Sequence, residues 1–189
     1  METLFDLKYE AINSNNLYLI FDIQRKEWKY SPDFNDLYNK TFNQRDDNIE
    51  FLVYNKDNNI IGITGVDIID SCKDSIWLNW FVVLDKYRRK GYGKKILLDT
   101  IEYCKRLNRY KYFRIDTTYK KGRPAMNLYN KVMDICENYT AEDDEEYKSN
   151  CLIYTKALIG KAKPLNNKFL GLRQYYDNCK SNNIQNDKK

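Results

Sequence analysis

The 189-residue sequence contains no histidine at all. Without an imidazole, the chain cannot build a Ser-His-Asp triad, a cysteine nucleophile activated by histidine, or a zinc site that includes a histidine ligand. This absence excludes most hydrolase mechanisms.

The sequence contains cysteine, but not in a pattern typical of disulfide pairs or metal sites. There are five cysteines, which is an odd number, and no two of them are spaced as C-x-x-C. No signal-peptide pattern precedes them. They are Cys72, Cys104, Cys136, Cys151 and Cys179. We therefore expect reduced thiols in a cytoplasmic protein.

The sequence also lacks a long apolar run, since none approaches the ~18 residues needed to span a bilayer. Its formal net charge of +5, from 32 basic and 27 acidic residues, is too small to indicate nucleic-acid binding by itself. We expect a soluble protein with no membrane partner.

What is present is enough for one hydrophobic core. The length of the chain, with 42% apolar and 15% aromatic residues, suits a single globular domain, which we place at residues 1–160. Beyond Ala157 the pattern weakens. Residues 161–189 are predicted to be an extension with one short helix around residues 169–176 and a frayed end.

The N-terminal segment predicts a strand and two helices. Residues 5–9 have a strand pattern, and residues 14–30 mix helical and extended signals, of which we favour helix. Ser31-Pro32 has the form of an N-cap followed by proline at the first helical position, which predicts a second, short helix.

The middle of the chain predicts strands and then a helix. Residues 49–54 and 60–69 are extended segments joined by a polar turn, and residues 76–84 form a nearly continuous apolar strand, typical of a sheet centre. After a glycine turn, one apolar stripe recurs at helical spacing. Its members are Leu97, Ile101, Cys104 and Leu107.

The last third alternates strand and helix. Residues 112–118 predict a strand, and Pro124 opens a helix that carries Met126, Tyr129 and Met133. Residues 135–139 and 151–155 predict two final strands with an acidic segment between them. The elements together give the order ααββββαβαββ or close to it.

Residues 88–93 form a basic glycine turn between a buried strand and a helix. Such a turn presents successive backbone N–H groups to one point, and the helix dipole adds partial positive charge there. Gly91 and Gly93 let the backbone approach a ligand closely. Flanking charge comes from Arg88, Arg89, Lys90, Lys94 and Lys95. The pattern favours a pyrophosphate cradle; an ordinary helix start with a basic surface is the alternative.

Two motifs together resemble a known family. The segment Phe81-Val82-Val83-Leu84-Asp85-Lys86-Tyr87 precedes the turn as the V-x-P-x-x segment precedes the R/Q-x-x-G-x-G/A signature of the GNAT N-acetyltransferase superfamily. After one helix and one strand, Ala125-Met126-Asn127-Leu128-Tyr129-Asn130-Lys131 looks like the family's A-x-x-L-Y-x-K helix. The resemblance covers residues 49–156.

The resemblance implies an α/β (α+β) fold with a mixed, mostly antiparallel central sheet of roughly six to seven strands, about four flanking helices and splayed central strands. It also implies acetyl-CoA as co-substrate and no metal. The backbone of Phe81, Val82 and Val83 would bind the pantetheine arm. The pyrophosphate would be held by the turn residues Arg88, Arg89, Lys90, Gly91, Tyr92, Gly93 and Lys94.

By the same resemblance, Tyr129 would protonate the departing CoA thiolate as general acid. The alternative for Tyr129 is a core aromatic on a helix. The acyl group and the amine would meet in a slot between the strands at 76–84 and 112–118.

An amine must be neutral to attack, and a lysine-like ammonium has a pKa of about 10.4, which is about 3 units above neutral pH. A general base is therefore useful. Family members often carry Glu on one of the two central strands, but Trp77 and Asn79 stand nearest on the first of them. Asp116 on the second strand is the candidate base, with Asp67 and Asp70 as alternatives. A solvated carboxylate at a strand end is the plainer interpretation of each.

The sequence departs from the family pattern at several positions. Asp85 stands where many relatives have proline, and Gly122 stands where many have the asparagine that contacts the cofactor. Neither change removes a catalytic group. Met133-Asp134 replaces the usual Gly-Phe after the tyrosine helix, so the shape of the acceptor side, and with it the substrate, is left open.

The predicted function is transfer of acetyl from acetyl-CoA to a primary amine by direct attack in a ternary complex. A non-catalytic acyl-CoA-binding module is one alternative, and a tRNA-directed acetyltransferase, suggested by basic residues at 88–95 and in the C-terminal segment, is another. The acceptor is left open between small molecule and protein. The acidic run at 142–146 and the aromatic N-terminal helices would suit a cationic acceptor, and a homodimer is compatible with the family.

Overall fold

The computed structural model describes residues 6–28, 33–70, 72–118, 124–139 and 151–165. These residues form seven strands and four α-helices, with one short 3-10 helix. In chain order they are β1 (Lys8–Ala11), α1 (Leu17–Glu27), α2 (Phe34–Phe42), β2 (Ile49–Tyr54), β3 (Ile60–Asp67), β4 (Ser75–Val83), the 3-10 helix (Asp85–Tyr87), α3 (Tyr92–Leu107), β5 (Tyr112–Thr118), α4 (Pro124–Val132), β6 (Ile135–Tyr139) and β7 (Cys151–Ala157).

The expected mixed, mostly antiparallel sheet with about four helices is confirmed. The strand order is β1-β2-β3-β4-β5-β7-β6. β1 pairs with β2, β2 with β3, β5 with β7 and β6 with β7, all antiparallel. β4 and β5 are parallel, and their ladder covers the three pairs from Ser75↔Tyr112 to Trp77↔Arg114. This ladder ends at Trp77 and Arg114, before either strand does; the splaying of the two strands stays a prediction.

The predicted order of the elements differs from the structure in two places. A strand does precede the helices, as the pattern at residues 5–9 indicates but the predicted order leaves out, and it lies at Lys8–Ala11; three strands rather than four lie between α2 and α3. The predicted cap of α2 was wrong. Helix α2 is capped by Asp33, whose side chain accepts a hydrogen bond from the N–H of Asn35 at 2.8 Å, and not by Ser31. Met133 lies just beyond the end of α4. The predicted helix at 169–176 and the acidic run at 142–146 lie outside the described residues.

The chain divides into two compact units, Met1–Asp67 with Leu78–Tyr103, and Ile68–Trp77 with Cys104–Lys189. In the first unit, the two faces of the sheet bury different sets of side chains, because successive strand residues point to opposite faces. Leu52 and Ile63 pack in one cluster with Ile20 of α1, whereas Val53 and Ile61 pack in another with Ile96 of α3. All these side chains are at most 1% exposed.

In the second unit, β5 is paired along its whole length with β7, from Tyr112↔Ala157 to Thr118↔Cys151. Phe113, Ile115 and Tyr154 are buried in its core. Helix α4 packs there through Tyr129, whose ring centroid is 5.4 Å from that of Tyr154. The boundary of the domain at residue 160 stays a prediction.

Two further expectations concern the cysteines and the membrane. Cys72, Cys104 and Cys136 are free thiols. Within the described ranges, no helix combines the length and the apolar character that crossing a membrane requires.

Candidate functional site

The glycine turn lies where the sequence predicted it, between β4 and α3 in the first unit. Arg89 (φ 60°) and Gly91 (φ 89°) both have left-handed backbone conformations. Such turns bring successive N–H groups to the same side of the chain and form a concave anion-binding nest. For a residue other than glycine, the left-handed conformation costs roughly 1–2 kcal/mol, so the surrounding structure must hold Arg89 in it.

Helix α3 opens directly from this turn. The N–H of Lys95 donates to the carbonyl of Gly91 at 3.2 Å and closes the first helical turn. The amides ahead of Lys95 therefore have no carbonyl of their own helix to donate to. The first turn of α3 contains no acidic residue, and Lys90 and Lys94 are exposed beside it. These features together favour an oxyanion at this point.

Arg88 is committed to protein contacts. Its Nε donates to the carbonyl of Val83 at 2.7 Å, its Nη2 donates to Oε2 of Glu27 at 2.7 Å, and its Nη1 forms an ion pair with Asp85. The side chain thus braces the end of β4 and the end of α1 against the turn. A role for Arg88 in binding phosphate would fall to its backbone.

Lys95 is also paired, which the sequence did not indicate. Its Nζ lies 2.5 and 2.7 Å from the two carboxylate oxygens of Asp99, and Asp99 accepts a further hydrogen bond from the hydroxyl of Tyr9 at 2.7 Å. Burial and the neighbouring Asp99 raise the pKa of Tyr9. The cations left to face a ligand at the turn are therefore those of Arg89, Lys90 and Lys94.

A bulge interrupts β4 just before the predicted pantetheine-binding residues. Trp80 has a φ of 47°. A left-handed residue inside a strand interrupts the extended backbone, and pairing with β3 is present after it, since the N–H of Leu84 donates to the carbonyl of Ile61. Such an irregularity redirects a strand locally, as bulges near active sites commonly do.

The residues after the bulge are Phe81, Val82 and Val83, all placed in the first unit with the turn. Phe81 and Val83 pack on the α3 face, and Val82 is buried on the face of α1 and α2. β3 lies very close to them: a Cβ added to Gly62 would be 2.1 Å from the carbonyl oxygen of Val82. Glycine at position 62 therefore lets the two backbones approach.

Asn79 stands at this bulge with an unused donor. Its Nδ2 is buried and has no hydrogen-bond partner among the described residues. A buried amide without a partner is costly, so such a group in a native structure calls for a ligand or a water. Asn79 was noted in the sequence only as a residue that stands where relatives carry Glu.

Tyr129 and Asp116, the predicted acid and base, belong to the second unit. Tyr129 is 6% exposed and packs on Tyr154, whose hydroxyl donates to Oδ1 of Asn130 at 2.9 Å. Burial and Cys136 raise the pKa of Tyr154 to about 12. Asp116 is half-buried on β5, opposite Ile153 of β7.

A buried carboxylate in the first unit was missed at the sequence level. Glu50 is 1% exposed; its Oε2 accepts from Nε2 of Gln24 at 2.7 Å and its Oε1 from Nζ of Lys40 at 3.1 Å. Burial raises the pKa of Glu50, and Lys40 opposes that rise. A Cβ at Gly65 would lie 2.9 Å from Cγ of Glu50, so this glycine makes room for the side chain.

Asp67 and Asp70, the alternative candidates for the general base, lie in two different places. Oδ2 of Asp67 lies 4.0 Å from Nζ of Lys40 and so belongs to the same network as Glu50. Asp70 lines a cavity in the second unit. In the sequence, only one feature could have indicated the buried position of Glu50: it is a charged residue in an otherwise apolar strand.

Comparison with known proteins gives one family and many related structures. Residues 17–134 match the family described as Acetyltransferase (GNAT) family. Spermidine/spermine N-acetyltransferase SpeG from Vibrio cholerae, in complex with manganese ions, is 15% identical over 80% of this chain and 92% of its own, with a TM-score of 0.61. Ribosomal-protein-S18-alanine N-acetyltransferase from Escherichia coli is 13% identical over 85% and 99%, with a TM-score of 0.60. No curated protein matches in sequence. At these identities the structural likeness shows a shared fold.

Proposed function

The chain belongs to the acetyltransferase (GNAT) family, and on that premise we propose that it is a cytoplasmic enzyme that transfers acetyl from acetyl-CoA to a primary amine in a ternary complex. The observation that carries this proposal is the turn at 88–93. Left-handed backbone at Arg89 and Gly91 stands at an acid-free helix start, directly after a bulged strand. Backbone amides directed to one point at a helix start without acidic residues suit a pyrophosphate.

The residues present fit acetyl-CoA. The nest and the first amides of α3 suit the pyrophosphate, with Lys90 and Lys94 beside them as exposed cations. The backbone of Phe81, Val82 and Val83 would hold the pantetheine arm. Asn79 Nδ2, which is buried without a partner among the described residues, is a donor available to a carbonyl oxygen at the bulge. The co-substrate itself supplies an acetyl group already activated as a thioester.

The proposed chemistry uses two further groups. The neutral amine forms a bond to the acetyl carbon, and the bond between that carbon and sulfur breaks. Tyr129 donates its phenolic proton to the departing thiolate, and Asp116 accepts the proton that the amine loses. The amine must first become neutral, and for an ammonium near pKa 10.4 this costs about 4 to 5 kcal/mol at neutral pH, so a base near the acceptor also assists that earlier loss of a proton.

The acceptor class is proposed from chemistry shared by the structural neighbours. One of them is named for spermidine and spermine, and another for the alanine of ribosomal protein S18. Both names specify an amine. For this chain we therefore propose a primary amine as acceptor, carried by a small molecule or by a protein.

The test measures CoA release during acetylation of a panel of amines by the wild type, Tyr129→Phe and Tyr154→Phe. Tyr154 is the matched control, because its ring contacts Tyr129 but it has no assigned catalytic role. We expect kcat to fall about 10²–10⁴-fold in Tyr129→Phe with acetyl-CoA binding retained, and to change little in Tyr154→Phe.

Full activity in Tyr129→Phe would contradict the assigned acid. Binding of acetyl-CoA without turnover of any amine would instead indicate a non-catalytic binding module.

A further inference from the structure

The second unit contains a cavity of about 580 Å³ that the proposed acetyl transfer does not use. Its walls come from residues 70 and 72–74 after β3, from Tyr112 and Arg114 at the start of β5 and from residues 163–165. The lining shares no residue with the turn at 88–93 or with Tyr129 and Asp116. The volume lies within the ~300–1,000 Å³ typical of small-molecule sites.

A buried arginine lines this cavity. Arg114 is 2% exposed, and its guanidinium lies over the ring of Tyr112, 4.9 Å from the centroid. Nε donates to Oγ of Ser75 at 2.9 Å, and Nη1 donates to Oγ1 of Thr155 at 2.5 Å. Both hydrogen-bond partners are neutral hydroxyls, and burial lowers the pKa of Arg114.

No described carboxylate lies within ion-pair distance of Arg114. Asp74 and Glu137 act on it from a greater distance and partly oppose the effect of burial on its pKa, and Ser75 links it to Asp74, because Oγ of Ser75 donates to Oδ1 of Asp74 at 2.8 Å. A buried charge is strongly disfavoured unless an opposite charge pairs with it. A guanidinium also has five N–H donors, and the two hydroxyls engage two of them.

Among the residues that line the cavity, three are cationic and two are anionic: Arg114, Lys73 and Lys163 against Asp70 and Asp74. Glu137 adds a third carboxylate behind the wall, where it accepts a hydrogen bond from the N–H of Leu165 at 2.6 Å. Because none of these carboxylates forms an ion pair with Arg114, its guanidinium is available to a negatively charged ligand. The planar fork of an arginine matches the oxygen pairs of carboxylate and phosphate groups.

We propose that this cavity binds a small molecule through a carboxylate or phosphate group that pairs with Arg114. The cavity is larger than one such group, so the rest of the ligand lies against the walls formed by Tyr112 and by residues 163–165. This site is separate from the turn at 88–93 and does not depend on acetyl transfer.

The experiment measures binding of inorganic phosphate and of malonate, as separate probes, by calorimetry at constant ionic strength. Phosphate also suits the turn, so each titration is repeated in Gly91→Glu, where the turn is blocked. We expect saturable binding that persists in Gly91→Glu, and affinity at least about tenfold lower in Arg114→Gln. Arg106→Gln is the matched control, because Arg106 is an exposed arginine of the same unit outside the cavity. The probe that binds with higher affinity shows whether the site prefers a phosphate or a carboxylate group.

A second readout is independent of whether Arg114→Gln folds. Cys72 lines the cavity and is 7% exposed, whereas Cys136 is exposed elsewhere. A bound probe slows alkylation of Cys72, as followed by mass spectrometry, and leaves alkylation of Cys136 unchanged. Lys163→Ala weakens that protection.

Absence of saturable binding to the wild type, equal affinity in a folded Arg114→Gln, or alkylation of Cys72 that neither probe slows would each overturn the proposal. Loss of acetyl-CoA binding in Gly91→Glu bears only on the transferase function.

Discussion

Nη2 of Arg88 lies 2.7 Å from Oε2 of Glu27, so the first residue of the glycine turn is tied to the last residue of helix α1. The same guanidinium donates to the carbonyl of Val83 at the end of β4. A residue that the motif predicts as a phosphate ligand thus holds the shape of the turn. In the proposed function, the backbone amides and the cations that follow would hold the pyrophosphate.

This relationship predicts a coupling between Arg88 and Glu27. In a double-mutant cycle with Arg88→Gln and Glu27→Gln, the coupling free energy of unfolding should be about 0.2–1 kcal/mol, because the pair is partly exposed to solvent. Urea denaturation measures it. The single variants should weaken acetyl-CoA binding by similar factors, since both loosen the same turn. A much larger loss of binding in Arg88→Gln than in Glu27→Gln would show that Arg88 contacts the ligand directly.

The buried Glu50 predicts a pH dependence of stability. Its pKa is raised in the folded state, so between the unfolded pKa and that raised value the folded protein binds more protons than the unfolded one. The stability that protonated Glu50 contributes is complete at low pH and is lost as pH rises through its folded pKa. Urea unfolding across pH should show Glu50→Gln gaining stability relative to wild type as pH rises above about 4.3. Glu102→Gln, an exposed change on α3, should show no such trend; a parallel trend in both variants would contradict the account.

Gly62 predicts a link between the packing of two strands and the cofactor. An added Cβ would meet the carbonyl of Val82 at 2.1 Å, so Gly62→Ala must push β4 away and should cost about 1–3 kcal/mol of stability. Because β4 carries the proposed pantetheine contacts, acetyl-CoA affinity should fall as well. Gly160→Ala is the control: nothing lies within 4 Å of its added Cβ, and the change strains only a φ of 71°. Unaltered acetyl-CoA affinity in Gly62→Ala would argue against the strand 81–83 as the binding edge.

Local patterns were enough to predict most elements, and in places their bounds. β2, β5 and β6 begin and end as predicted, because β-branched and apolar residues alternate there between polar turns. The cap of α2 was misplaced since Ser31 and Asp33 are both good capping residues, and only the hydrogen bond from Asn35 decides between them. The bulge at Trp80 was missed because nothing in the strand's composition indicates a residue with positive φ.

Part of the candidate site could also be predicted from the sequence, and part could not. The turn at 88–93 was predictable, since its glycines and basic residues are contiguous in sequence. The environments of Glu50 and Arg114 were not, because their partners are distant along the chain: Gln24 is 26 residues from Glu50, and Ser75 and Thr155 are 39 and 41 residues from Arg114. Periodicity identifies buried positions but does not identify the side chains that meet there.

The most direct test of the central claim is calorimetric titration of acetyl-CoA into the wild type, Gly91→Glu and Gly160→Glu. Both glycines have positive φ, 89° and 71°, so the two variants introduce the same charge with similar backbone strain, and only Gly91 belongs to the turn. We expect binding in the wild type and in Gly160→Glu, and its loss in a folded Gly91→Glu, because the new carboxylate repels the pyrophosphate from the nest. Absence of binding to the wild type, or equal binding by Gly91→Glu, would contradict the assignment of this turn as the acetyl-CoA cradle.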